Sequence, residues 1–163
     1  MNDLENINIT PYAAAYITGT KDNPSLKGLL QLIPWNTGSI VKLEIIGLPN
    51  TQKNNFFGFH IHENGACKET ENFESAGGHY NPDMDAHPNH IGDLPMIYSN
   101  NGYAFMMYYT DRFTPKDVIG KTIIVHDMPD DLKTQPSGNS GKRIACGVIE
   151  RIFYPYASRL YYF

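Results

Sequence analysis

Short hydrophobic runs recur along the chain and are separated by clusters of Gly, Pro, Asn and Asp. In the run 39–48, Val41, Leu43 and Ile45 alternate with Lys42 and Glu44, which is typical of a strand with one buried and one solvated face. No segment of useful length has the period of a helix, and the runs are rich in β-branched and aliphatic residues. Strands are predicted at 12–18, 28–34, 39–48, 55–63, 95–99, 102–110, 119–126 and 142–152. This pattern predicts an all-β protein, an eight-stranded antiparallel Greek-key barrel or sandwich.

One connection carries a strong turn signal. Asn101 and Gly102 lie between the hydrophobic runs 95–99 and 102–110, and an Asn-Gly pair in such a place predicts a tight hairpin turn. We therefore expect these two strands to pair with each other.

Length and composition indicate one domain over 1–163, with an aromatic C-terminal tail at 152–163. Only 18% of the residues are charged and the net charge is −4, so we expect neither a nucleic-acid partner nor a polybasic membrane surface. No hydrophobic run approaches the ~20 residues of a membrane helix. The segment 1–6 lacks the features of a secretory signal, which leaves open a cytoplasmic protein or a processed exported one.

The histidines are concentrated in one stretch and indicate a metal site. His60 and His62 are two apart in a predicted strand and so point to the same face, and His126 ends another strand. These three imidazoles suit copper. A polar loop then supplies three imidazoles and a carboxylate, a set that suits tetrahedral zinc: His79, His87, His90 and Asp93. Two metals need one loop histidine to lie between them.

Six motifs follow in a fixed order: GFHIHE, SAGGHYNP, HIGDL, IIVHD, DDL and GNSGKRIACGVI. Together they resemble the motifs of the copper–zinc superoxide dismutases, over about 12–151. The resemblance implies a Greek-key barrel with long metal-binding and channel loops, and a redox-cycling copper that converts superoxide to dioxygen and hydrogen peroxide. It implies copper ligation by His60, His62, His79 and His126, and zinc ligation by His79, His87, His90 and Asp93. His79 is then the bridging ligand and takes part in catalysis.

The resemblance also implies roles for four residues beyond the ligands. Asp130 matches a carboxylate that hydrogen-bonds one histidine of each metal, here His60 and His87, whereas on its own it reads as a solvated turn residue. Arg143 matches a catalytic arginine that attracts the anion, whereas an arginine on a strand is usually a surface residue. Because the net charge of −4 repels superoxide, any steering has to be local, and the available cations are Lys133, Lys142 and Arg143. Cys67 and Cys146 match a disulfide; the alternative is two buried thiols.

Three features depart from the family pattern. The zinc loop and the segment 132–137 are short, and Gly78 stands where the family usually has proline, which predicts a looser backbone before His79.

The tail carries six of the twenty aromatic residues and either packs on the barrel or forms a homodimer contact. As alternatives to the enzyme, the domain buffers metals or is a structural zinc protein with little or no dismutase activity.

Overall fold

The computed structural model describes residues 10–50 and 55–153. Strands follow one another along these residues as β1 (Ala13–Gly19), β2 (Lys27–Trp35), β3 (Gly38–Ile46), β4 (Phe56–Phe57), β5 (Phe59–His62), β6 (Ile97–Tyr98), β7 (Ala104–Thr110), β8 (Thr122–His126), β9 (Arg143–Val148) and β10 (Glu150–Arg151). Two single 3₁₀ turns, Glu69–Glu71 and Glu74–Ala76, are the helical elements of the described chain. The predicted all-β class is confirmed.

The main sheet is antiparallel, with strand order β5-β8-β9-β1-β2-β3-β7, and β10 adds to β1 beside β9. The alternation predicted for β3 is confirmed: Val41, Leu43 and Ile45 are buried, whereas Glu44 is exposed. Their side chains meet those of Phe59 and Val125, from the other end of the sheet, in one hydrophobic core. The sheet therefore curls around a single core, as the predicted barrel requires.

The predicted hairpin is half right. Asn101 and Gly102 have φ values of 53° and 85°, the left-handed pair that a tight hairpin turn needs, and Asn100 bridges to Tyr103. The flanking strands do not pair, however, because β6 pairs with β4, and β7 pairs with β3 from Ala104 to Thr110. The turn is set locally, but the partner of each strand is set by which edge lies next to it.

Two predicted strands are each broken in two. The run 55–63 divides at Gly58, where a Cβ atom would lie 2.9 Å from the Ser140 side chain, so the backbone packs too closely for any other residue. The run 142–152 divides at Ile149, whose N–H donates to Lys121 O while its side chain enters the core. This break lets β9 pair with β8 while β10 pairs with β1.

Two predictions concern residues outside the described ranges. The tail beyond residue 153 lies outside the described residues, and so does the proposed role of its aromatic rings. The single domain over 1–163 therefore stays a prediction. No helix in the described ranges is long and hydrophobic enough to cross a membrane.

Candidate metal centre

Three of the histidines lie on the paired strands β5 and β8. His60 and His62 alternate with core residues on β5, and His126 ends β8, which pairs with β5 from Phe59 to His62. All three are buried, with at most 4% of each residue exposed. A strand pair fixes both backbone position and side-chain direction, so these imidazoles start from rigid supports.

The polar loop returns to the same strand. His79 bridges to His62 and Asp93 bridges to His60, while Ile61 exchanges hydrogen bonds with Tyr80 and Gly92 of the loop. Gly92 permits this approach, since a Cβ atom there would lie 2.2 Å from Ile61 O. The loop residues are thereby brought beside the β5 histidines, although His79, the first of them, follows His62 only after 17 positions in sequence.

The result is two groups of potential metal ligands. In each group, one donor atom per residue can be chosen so that all four lie within 4.8 Å of one another. The four-histidine group is His60, His62, His79 and His126. The three-histidine–aspartate group is His79, His87, His90 and Asp93. These are the two sets expected from the sequence, and His79 belongs to both.

Unpaired ring nitrogens show how well the residues fit metal ions. Within the described ranges, six buried histidine nitrogens make no hydrogen bond of acceptable geometry: His60 Nδ1, His62 Nε2, His79 Nε2, His87 Nδ1, His90 Nδ1 and His126 Nε2. Two of them, His87 Nδ1 and His90 Nδ1, lie 3.0 and 3.2 Å from Asp93 Oδ2, the spacing of ligands around a common ion. A buried polar atom without a partner costs about 1–3 kcal/mol, so six in one place need an explanation. Two neighbouring cations explain all six, because neutral imidazole offers a lone pair at its unprotonated nitrogen.

The second nitrogen of several rings is tied to the protein. His62 Nδ1 lies 2.9 Å from Gly77 O, and His126 Nδ1 lies 3.4 Å from Gly141 O. A carbonyl oxygen only accepts, so these nitrogens carry the protons and leave each Nε2 as the potential ligand. Hydrogen bonds to the far nitrogen orient metal-binding histidines in this way.

His79 differs because both of its nitrogens face a ligand group. Its Nδ1 lies 2.6 Å from Asp93 Oδ1, whereas its Nε2 is the unpaired nitrogen. The ring of His79 stacks on that of His60 with a centroid distance of 4.0 Å. One ring thus separates the two groups, and this arrangement allows one imidazole to contact two ions.

Asp130 links the two ligand groups, because it contacts one histidine of each. Its Oδ2 lies 2.7 Å from His60 Nε2 and its Oδ1 lies 2.9 Å from His87 Nε2. Gly138 packs against this carboxylate, and its φ of 66° together with the lack of space excludes a side chain. Asp130 therefore contacts the two histidines that the resemblance indicates, and it orients both.

Burial and these contacts keep the donors in the states that metals require. Burial lowers the pKa of His60, and it lowers the pKa of His62 and His126 well below the ordinary value. Burial by itself would raise the pKa of Asp93 and Asp130, but hydrogen bonds from the histidines more than offset it and lower both. Near neutral pH the first three rings are therefore neutral and the two carboxylates are ionised.

Arg143, the first residue of β9, is held over the entrance to this centre. Its Nη1 donates to Phe73 O at 2.6 Å and its Nη2 donates to Gly77 O at 2.8 Å. The disulfide between Cys67 and Cys146 joins the same loop to β9. A guanidinium has five N–H donors, so these two bonds fix its position and leave donors for a ligand.

A cleft of about 1520 Å³ leads from solvent to His62, His79 and His126. Its other lining residues include Lys142 and Arg143, which the sequence indicated, and Lys21, which it did not. Lys133 was expected to add a positive charge but is not part of this lining. Lys21 lies in the turn between β1 and β2, far from every motif, so no local signal marks it.

Gly78, which stands where the family usually has proline, is hydrogen-bonded to Glu63. Its N–H donates to Glu63 Oε1 at 3.0 Å, and its carbonyl oxygen accepts from the Glu63 N–H at 3.0 Å. Proline has no N–H and could not make the first of these bonds. Gly78 thus makes a contact that proline could not make, and the looser backbone before His79 stays a prediction.

Comparison with known proteins gives consistent results. A family model described as copper/zinc superoxide dismutase matches residues 26–149. The chain is similar to the copper–zinc superoxide dismutase 2 of Aquifex aeolicus, with 39% identity over 75% of this chain and 78% of that protein. It is also similar to the extracellular copper–zinc superoxide dismutase of Drosophila melanogaster, with 35% identity over 87% of this chain and 86% of the relative.

A solved structure matches as well. The crystal structure of a double mutant of a superoxide dismutase-like protein from Bacillus subtilis superposes with a TM-score of 0.70 at 28% sequence identity. The match covers 83% of this chain and 95% of the other. The neighbour therefore has the same β fold.

Proposed function

The chain belongs to the copper/zinc superoxide dismutase family, and from that premise we propose that its two ligand groups form a working dismutase centre. It is an oxidoreductase whose cofactors are copper and zinc and whose substrate is superoxide. Two superoxide anions and two protons give one dioxygen and one hydrogen peroxide. The observation that carries the proposal is the set of six unpaired, buried ring nitrogens.

The four-histidine group would hold copper and the three-histidine–aspartate group would hold zinc. Nitrogen donors suit copper, and a tetrahedral mixed set suits zinc. When bound, copper would supply one-electron redox chemistry and zinc a fixed positive charge next to His79. The strands and Asp130 keep the donors in place through the cycle, because the main chain fixes where each ring starts. A hydrogen bond at the second ring nitrogen also holds His60, His62, His87 and His126.

His79 has the position of a proton carrier. Its Nδ1 contacts Asp93, whereas its Nε2 has no hydrogen-bond partner and is the nitrogen left for the four-histidine group, and the residue lines the cleft. That nitrogen would take up a proton in one half of the cycle and release it to the reduced substrate in the other. Because the ring itself is anchored, the proton is delivered at a constant place.

Arg143 would bind and orient the anion at the end of the cleft. Its two bonds to main-chain carbonyls hold the guanidinium without a close carboxylate partner; Glu74 Oε2 approaches Nη2 only to 3.9 Å. The net charge of −4 repels superoxide at long range, so attraction has to be local. The cleft is lined by the cations Lys21, Lys142 and Arg143 and by the carboxylates Asp22, Glu69, Glu74 and Asp127. The attraction therefore has to come from the position of the fixed Arg143 guanidinium and not from the summed charge of the cleft.

The test is direct. Protein loaded with both metals should remove superoxide in a pulse-radiolysis or competition assay, and cyanide should abolish this activity. Copper EPR and metal analysis on the same sample establish that each site is filled. Dismutation no faster than that of the same amount of free copper would refute the proposal.

A second candidate is a copper- and zinc-binding protein with little activity. The Bacillus subtilis neighbour is described only as superoxide dismutase-like, and this favours keeping the alternative. It predicts full metal occupancy with slow superoxide removal. The complete ligand groups and the held Arg143 favour the enzyme, since metal storage needs neither a shared histidine nor an arginine at the entrance.

A further inference from the structure

Arg112 reaches the zinc loop from a different part of the chain. It lies between β7 and β8, in none of the sequence motifs, and its guanidinium spans the turn 90–93. Nη2 donates to His90 O at 2.6 Å and Nη1 donates to Asp93 O at 3.1 Å. Both acceptors are main-chain atoms of residues in the three-histidine–aspartate group.

The main chain of Arg112 is itself fixed. Its N–H donates to Thr110 Oγ1 at 3.2 Å, at the end of β7. The next residue, Phe113, is buried, and its carbonyl oxygen accepts from Ser39 Oγ on β3. Although Arg112 is an exposed residue, these contacts with the sheet fix the point from which its side chain extends toward the turn 90–93.

The turn 90–93 is held from two sides as a result. On one side, Gly92 O accepts from Ile61 N–H of β5, between the two strand histidines. Within the turn, Asp93 N–H donates to His90 O, and His90 N–H donates to Asp93 Oδ2. On the other side, Arg112 closes the same turn through both carbonyls. The planar guanidinium suits this task, because it makes the two bonds from two different nitrogens held in a fixed geometry.

We propose that Arg112 is a positioning residue for zinc, because it fixes the main chain of His90 and Asp93 and so prearranges two of the four zinc ligands. The inference rests on the proposed function only for the identity of the metal. Arg112 contacts main-chain atoms of the zinc group and reaches the four-histidine group only through Asp93 and the shared His79, so its direct effect falls on the zinc side. Zinc affinity should therefore depend on Arg112, and copper affinity should not.

The experiment compares three variants of the full chain. R112M removes both bonds, R112K can keep one of them, and K116M removes one positive charge from an exposed position in the same loop. Zinc dissociation constants are measured by competition with a chromophoric chelator. Copper dissociation constants are then measured at saturating zinc, and melting temperatures are recorded for the metal-free proteins.

R112M should weaken zinc binding by about ten- to hundredfold, the usual effect of removing a partner that orients ligands. R112K should lie between R112M and the parent, while K116M should match the parent. Copper binding should be the same in all four proteins. If R112M does not fold, the comparison of R112K with K116M carries the same test.

Two results would overturn the proposal. The first is zinc binding by R112M equal to that of K116M. The second is a parallel loss of zinc affinity, copper affinity and melting temperature, which would make Arg112 a brace for the whole fold. These experiments measure metal affinity and stability, whereas the dismutase proposal is tested by superoxide removal. A failure of one proposal is therefore distinguished from a failure of the other.

Discussion

Gly138 offers a sharp test of how Asp130 organises the two ligand groups. An alanine there would place its Cβ 1.9 Å from Asp130 Oδ1 and 2.7 Å from His87 Nε2. These are the two atoms of one 2.9 Å hydrogen bond. G138A must therefore break or displace that bond, although it changes no ligand and no charge.

Two effects add up in this variant. Gly138 has a φ of 66°, and a left-handed backbone costs an alanine about 1–2 kcal/mol. Loss of a hydrogen bond to a charged group costs about 1.5–3 kcal/mol more. The free energy of unfolding of the metal-free protein should thus fall by about 2.5–5 kcal/mol if the two costs simply add.

Gly120 provides the matched control. Its φ is 77°, but no atom lies within 4 Å of its missing Cβ, so G120A has only the backbone cost of about 1–2 kcal/mol. Urea unfolding of both variants with the disulfide intact gives the difference. Zinc affinity should fall in G138A by about ten- to hundredfold and stay unchanged in G120A. Equal unfolding free energies in the two variants would refute the role assigned to Asp130.

Three further predictions follow from the same contacts. R143M should lower kcat/KM for superoxide by about ten- to hundredfold, the value of one charge-assisted hydrogen bond, while copper and zinc contents stay the same; an unchanged rate would contradict the proposed role. The disulfide closes a loop of 79 residues, so C67S with C146S should lower the free energy of unfolding by up to about 4.5 kcal/mol in the chain-entropy model, and a change near zero in urea unfolding would contradict it. Burial depresses the pKa of His60, His62 and His126, so the unfolded chain binds more protons, and the metal-free protein should lose stability as pH falls below the ordinary value of 6.5. Asp93 and Asp130, whose pKa values are also depressed, should add a second loss below about pH 4, and a flat stability curve between pH 7 and 3 would contradict both statements.

Much of the fold follows from local pattern. Alternation along β3 identifies its buried face, and the pair Asn101-Gly102 identifies its turn, because each depends on neighbours only a few residues away. The metal-ligand residues could also be identified from the sequence. Two histidines at i and i+2 on a strand share a face whatever that strand pairs with.

The sequence by itself determined the residue types at the metal centre and the class of fold, since ligand chemistry and strand periodicity are properties of short segments. The tertiary structure decided which distant groups meet. It paired β6 with β4 rather than β7, tied Gly78 to Glu63, and brought Arg112 to the carbonyls of His90 and Asp93. Lys21 entered the cleft in the same way. Such contacts depend on how the sheet curls and which edges come together, and that is settled by packing over the whole core rather than by any local run of residues.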